Sequence, residues 1–226
     1  ISFDVSHGKR LTIIGTNGAG KSTLFNLITG VYPLSSGSIS VFGQDVSKQP
    51  AYSRAKLGIA RTFQTSKLFQ GLTVRENLYT SLRQALGEKK ISWLANPSES
   101  DRLRSESTSI LERVDLLKKS DILVSDISHG ESRQLEVAMA LAMRPKVLML
   151  DEPAAGISPT ERGRLVDLLK SLDKEMTLVL IEHDMAVALA VADEVIVMHD
   201  GKMFMQGSPD EVRNSPAVRD LYLGSN

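Results

Sequence analysis

The sequence predicts an α/β fold, a mostly parallel sheet covered by helices, with an antiparallel β portion and a helical insert. Three observations carry this. Short apolar runs at 10–14, 147–150 and 178–181 are each followed by a helical pattern, and strand–helix alternation of this kind builds parallel sheets. Between about 70 and 143 helical patterns recur without strand-like runs. Near the end, Asp200-Gly201 is a hairpin signal joining 194–198 to 202–206.

Taken in order, Arg10-Leu11-Thr12-Ile13-Ile14 is an apolar run between a turn at His7-Gly8-Lys9 and Gly15, and reads as a buried strand. Residues 22–30 place Leu24, Leu27 and Ile28 on one helical face, with Gly30 as the stop. A second strand is expected over 38–42. Helical patterns follow at 72–86, 109–117 and 131–143, separated at 88–107 by a polar stretch with Trp93 and a break at Asn96-Pro97. Helices at 160–172 and 185–192 then alternate with the strands already named. No internal repeat or low-complexity tract interrupts this order.

The 226 residues are 42% hydrophobic, enough for one large domain or a domain with a subdomain. Lys plus Arg equals Asp plus Glu, 27 of each, so no net basic field draws in nucleic acid or acidic lipid. With no cysteine there is neither a disulfide nor a thiolate metal site. The first residues, ISFDVSHGKR, lack the long apolar stretch of a signal peptide, and no window approaches the ~20 apolar residues of a membrane span. A soluble chain is expected, with any membrane role exercised through a partner. A start at Ile1, directly on a strand-like segment, leads us to expect residues upstream.

Residues 15–23 read GTNGAGKST, which satisfies G-x-x-x-x-G-K-[ST] between a strand and a helix. Gly18 and Gly20 let backbone N–H groups turn toward phosphate oxygens, with Asn17 and Ala19 in the same loop. The helix that follows points its positive end at the same anion. Lys21 neutralises the outer phosphates, and the Ser22 hydroxyl, next to Thr23, is placed to ligate Mg²⁺. On its own this loop leaves kinases, GTPases and motor ATPases open.

The strand 147–150 ends in Asp151-Glu152, which puts two acids at the edge where ligands sit in open α/β sheets. Asp151 suits Mg²⁺, and Glu152 suits a general base that polarises water. The neighbouring run ends in Glu182-His183-Asp184. His183 is thereby placed to hydrogen-bond a γ-phosphate or the attacking water.

Four features in this order resemble the ATP-binding cassette family over almost the whole chain: GTNGAGKST, Gln64 in RTFQ, ISHGES at 127–132, and DEP with the later IEHD. ISHGES resembles that family's signature, usually LSGGQ. The resemblance implies a P-loop NTPase (RecA-like) core at 1–69 and 144–226, and a helical signature-containing subdomain at 70–143. It implies an ATPase using ATP and Mg²⁺, with Gln64 sensing the metal and the γ-phosphate. Ser128, His129, Gly130 and Glu131 then close on ATP bound by a second ATPase subunit, in a homo- or heterodimer.

Three departures stand out. His129 replaces the first signature glycine, Glu131 replaces the usual Gln, and Ser158 stands where Asp is typical. The family's adenine-stacking aromatic falls upstream of Ile1, and Phe3 is a poor substitute.

Within the family, GIARTFQTSKLFQGLTVRENL, DEPAAGISP and the terminal YLG resemble the larger, RTFQ-containing ATPase of importers for branched-chain and other hydrophobic amino acids. That implies membrane permease subunits, an indirect link to a solute-binding protein, no nucleic acid, and a cytoplasmic place on the inner face of the cell membrane. Leu68, Phe69, Leu72 and Val74 are either contacts for a docked permease helix or ordinary core. Urea or amide importers, and soluble cassettes of DNA repair or translation, are the alternatives. The latter usually carry paired cassettes, a long coiled coil or a basic face, and none is present here.

Overall fold

The structure, a computed structural model, describes residues 1–62, 68–85 and 97–223. The chain begins with β1 (Arg10–Gly15), α1 (Lys21–Ile28), the short pair β2 (Ser40–Val41) and β3 (Gln44–Asp45), α2 (Ala51–Lys56) and β4 (Ile59–Arg61). Three helices follow, α3 (Val74–Ala85), α4 (Pro97–Arg113) and α5 (His129–Ala142). Alternation then resumes with β5 (Val147–Asp151), α6 (Pro159–Ser171), β6 (Thr177–Ile181), α7 (Met185–Val191), β7 (Glu194–His199) and β8 (Lys202–Gly207). Two short helices, α8 (Pro209–Asn214) and α9 (Pro216–Leu223), complete the described chain.

The main sheet has the order β4-β5-β6-β1-β7-β8, parallel throughout except for β8, which returns antiparallel to β7. Its strands are apolar on both faces because helices cover both. Successive residues therefore belong to different cores. On β6, Leu178 and Leu180 pack toward the side carrying α5 and α6, whereas Val179 and Ile181 pack with Phe25 of α1. On β7, Ile196 joins the Phe25 side, while Val195 and Val197 face Ala188, Val212 and Val218. Burial of one such side chain stabilises by about 1.5–3 kcal/mol. A single-residue slip of register would invert the whole pattern.

Register also aligns the functional edge. Asp151 lies opposite Ile181, and Ile181 opposite Ile13, so β5, β6 and β1 end at the same rim. This is the carboxyl edge at which open parallel sheets bind ligands.

The helical insert differs from its sequence reading at both ends of α4, which stops at Arg113, with Asp115 at φ 57°, rather than running to 117. Helix α4 starts at Pro97, where the sequence suggested a break. Proline is well suited to a first helical turn, since its missing N–H has no partner there anyway. The helix buries Leu103, Ser107 and Leu111, each four residues after the last. That stripe is too narrow to stand out from a polar background. Trp93 lies outside the described residues. Among the described residues, no helix is long and apolar enough to cross a membrane.

Candidate active site

The phosphate loop is shaped by its glycines. Gly18 and Gly20 have φ of 79° and 92°, a left-handed conformation that side chains rarely adopt. Among the described residues no side chain caps the N-terminus of α1, and uncapped N–H groups at a helix start are suited to meet an anion. Asn17, Ala19, Ser22 and Thr23 complete the loop and the first turn of α1.

Lys21 is 6% exposed, and its Nζ donates to the carbonyls of Gly15 at 2.9 Å and Thr16 at 3.1 Å. Burial pushes its pKa down, while Glu152 and Asp151 act in the opposite sense. The lysine therefore lies within the field of both acids.

Asp151 is buried at the end of β5, its N–H donating to Thr62 Oγ1 at 3.3 Å. Its Oδ2 is 3.7 Å from Arg61 Nη2, and its Oδ1 is buried with no hydrogen-bond partner among the described residues. Burial raises the pKa of the carboxyl, and Arg61 opposes that rise. A buried oxygen left without a donor fits a cation ligand. Among the described residues no cluster of three or more His, Asp or Glu side chains is poised to hold a metal.

Glu152 has φ of 49°, an uncommon value for a residue with a side chain. Its N–H donates to the Ile181 carbonyl at 2.9 Å, tying the turn to the end of β6. His183 follows β6 directly, and its Nδ1 is 3.9 Å from Glu152 Oε2. Asp184 then caps α7 by accepting the N–H groups of Ala186 and Val187, and also accepts from Arg162 Nη1 at 2.7 Å. Gln64 lies outside the described residues, as does Gly224 of the terminal YLG.

The ISHGES segment starts α5. Ser128 Oγ accepts the Glu131 N–H at 3.2 Å, and Glu131 Oε2 accepts the Ser128 N–H at 2.8 Å, a reciprocal capping box. Glu131 also pairs with Lys119. His129 Nε2 is 3.2 Å from the Ala155 carbonyl oxygen, a contact that places the proton on Nε2. The Ser128 hydroxyl is 3.2 Å from Glu161 Oε1. A Cβ on Gly130 would run into that same carboxylate, so no larger residue fits without displacing it. Ser158 caps α6 through Glu161 in a second capping box. The three departures thus each have a local partner. Contacts of 128–131 go to Lys119, Ala155 and Glu161, among the described residues, and not to the phosphate loop.

Replacing Ser128 by Ala removes the cap of α5, at about 1 kcal/mol. Differential scanning fluorimetry should show a melting point lower by about 2–4 °C. An unchanged value would mean that Glu131 and Lys119 hold the helix start without it.

The sequence reading missed Arg61 as a site residue. Its Nη1 donates to Asn26 Oδ1 at 2.7 Å and Thr29 Oγ1 at 2.9 Å, so one guanidinium joins α1 to Asp151. No local signal offered it, because the strand Ile59–Arg61 has 3 residues and meets β5 only through a long-range pairing. Leu68 lines a cavity of about 420 Å³ between α2, α3 and α5, Val74 is core, and Phe69 is 56% exposed.

A phosphate loop facing two acids and a histidine at the rim of a parallel sheet defines a nucleoside-triphosphate hydrolase. The family model described as "ABC transporter" matches residues 1–155, and the chain belongs to that family. It is an ATPase of the ATP-binding cassette type.

The chain is 36% identical over 230 residues to the high-affinity branched-chain amino acid transport ATP-binding protein LivG of Salmonella typhimurium, covering 99% of this chain and 90% of that one. It is 34% identical to BraF of Pseudomonas aeruginosa, a protein of the same description, over 99% of this chain and 90% of that one. Among solved structures, the ADP conformation of MJ1267, an ATP-binding cassette of an ABC transporter, superposes with a TM-score of 0.85 at 29% identity, covering 100% of this chain and 91% of that one.

Proposed function

We propose that this chain is the ATPase subunit of an importer for branched-chain or other hydrophobic amino acids. The observation that carries the reading is that Glu152 lies within the field of Lys21, with His183 Nδ1 3.9 Å from its carboxylate. The solute class is supported by the likeness to LivG and BraF.

In this reading Asn17, Gly18, Ala19, Gly20, Lys21, Ser22 and Thr23 hold the ATP phosphates through backbone N–H groups and the lysine charge. Ser22 and Asp151, with Gln64, hold Mg²⁺, which when bound neutralises charge on the phosphate oxygens. Glu152 is the general base toward the attacking water, and His183 hydrogen-bonds that water or the γ-phosphate. Ser128, His129, Gly130 and Glu131 meet the ATP held by a second ATPase subunit. The helical subdomain spans 70–143, and the ATP-binding core 1–69 and 144–226.

The chain works with membrane permease subunits, as cassette ATPases of transporters do. We place the docked permease helix in the cavity between α2, α3 and α5, where Tyr52, Leu68 and Met139 supply apolar surface. The protein then sits at the cytoplasmic face of the cell membrane and reaches a solute-binding protein only indirectly.

Reconstitution with the permease subunits tests this reading. ATP hydrolysis should rise when a branched-chain amino acid and its binding protein are added. Stimulation by urea or an amide instead would move the solute class. Co-purification with only nucleic acid or ribosomes would remove the transport reading altogether.

A further inference from the structure

Glu182, the residue before His183, is 0% exposed. Burying a carboxylate is costly unless its oxygens find donors. Here they find three. Oε1 accepts the N–H of Ala154 at 2.8 Å, two residues beyond Glu152. Oε2 accepts the N–H of His183 at 3.2 Å and that of Asp184 at 3.4 Å.

One oxygen therefore holds the turn that follows β5, and the other holds the turn that follows β6. Those two turns carry Glu152 and His183. We propose that Glu182 is a positioning residue for ATP hydrolysis, a buried clamp that fixes Glu152 and His183 relative to one another.

Two further observations support it. Glu152 sits in a left-handed conformation, at φ 49°, which is strained for a residue with a side chain and persists only where neighbours hold it. The Ala154 bond and the Glu152 N–H to Ile181 bond are such restraints on either side of Pro153. His183 is likewise held from both sides, by Glu182 before it and by Asp184, the cap of α7, after it. Burial raises the pKa of Glu182, while the three N–H groups and His183 work the other way. Replacement by Gln keeps the shape and one acceptor. It turns an amide N–H₂ toward the N–H groups of either the first or the second turn, and one arm of the clamp fails.

The proposal rests on Glu152 as the base, and the experiment separates the two. In the full-length chain assembled with its permease, Glu182→Gln should lower kcat about 10- to 100-fold, the scale of a misplaced catalytic group. KM for ATP should stay within about twofold, since the phosphate loop is untouched. Single-turnover hydrolysis in a Glu152→Gln background should then show no further loss on adding Glu182→Gln, because residues acting as a unit are not additive.

An unchanged kcat, or the same fold-loss in both backgrounds, overturns the clamp. A joint collapse of melting point and ATP affinity also overturns it, in favour of a purely structural role. Inactive Glu152→Gln with normal Glu182→Gln removes only the clamp. Active Glu152→Gln removes the base assignment, and the clamp with it.

Discussion

Glu152→Gln should abolish steady ATP turnover, lowering kcat by about 10²–10⁴-fold, the usual contribution of a positioned general base. The substitution is informative because so little else changes. Glutamine has the same length, keeps an oxygen toward the attacking water and can hold the left-handed backbone at φ 49°. What it lacks is the ability to take a proton. Lys21, the loop N–H groups and Asp151 remain, so ATP affinity should persist. An ATP-bound dimer should accumulate, visible by size-exclusion chromatography with ATP and Mg²⁺. Phosphate release at the normal rate would show that another group activates the water. His183, 3.9 Å away, would then be the first to test.

The site could be read from the sequence to the extent that its chemistry lies in short contiguous segments. The phosphate loop, Asp151-Glu152 and Glu182-His183-Asp184 each follow an apolar run, and burial on both faces makes such runs continuous and so visible. The contacts that unite those segments were not legible. Arg61 meets Asp151 because β4 pairs with β5, a pairing across a separation that no local pattern encodes. Glu182 reaches Ala154 for the same reason, through the pairing of β5 with β6.

Fold elements went unread for different reasons. Helix α2 and strand β4 are 6 and 3 residues long, too short for periodicity to declare itself. Helix α8 did carry a local signature, Ser208 and Pro209 followed by Glu211, which is a capping box with proline in the first turn. In α4 the deciding feature was tertiary. Its polar sequence becomes a helix because Leu103 and Leu111 find the α3–α5 core, and propensity alone does not foresee that.

The second large effect is expected at Lys21. Replacement by Ala removes the one cation of the phosphate loop, and charge-assisted hydrogen bonds to phosphate are worth about 1.5–3 kcal/mol each. Part of that is offset by the carbonyl bonds that Lys21 makes to Gly15 and Thr16. A net loss of about 2.7 kcal/mol, or 100-fold in affinity, is the expectation. Thermal shift reads it directly. ATP at 100 times the Kd stabilises the native chain by about 2.7 kcal/mol. For a chain of this size that raises the melting point by about 5–11 °C. At the same ATP concentration the variant gains only about 0.4 kcal/mol, a shift of about 1–2 °C. Lys21→Arg should fare little better, because the lysine is 6% exposed and a broad planar guanidinium does not replace a compact ammonium at such a buried position. A full ATP-induced shift in Lys21→Ala would mean that the loop N–H groups alone bind the nucleotide. The acids that now share the field of Lys21, Asp151 and Glu152, would then face the phosphates without a compensating charge.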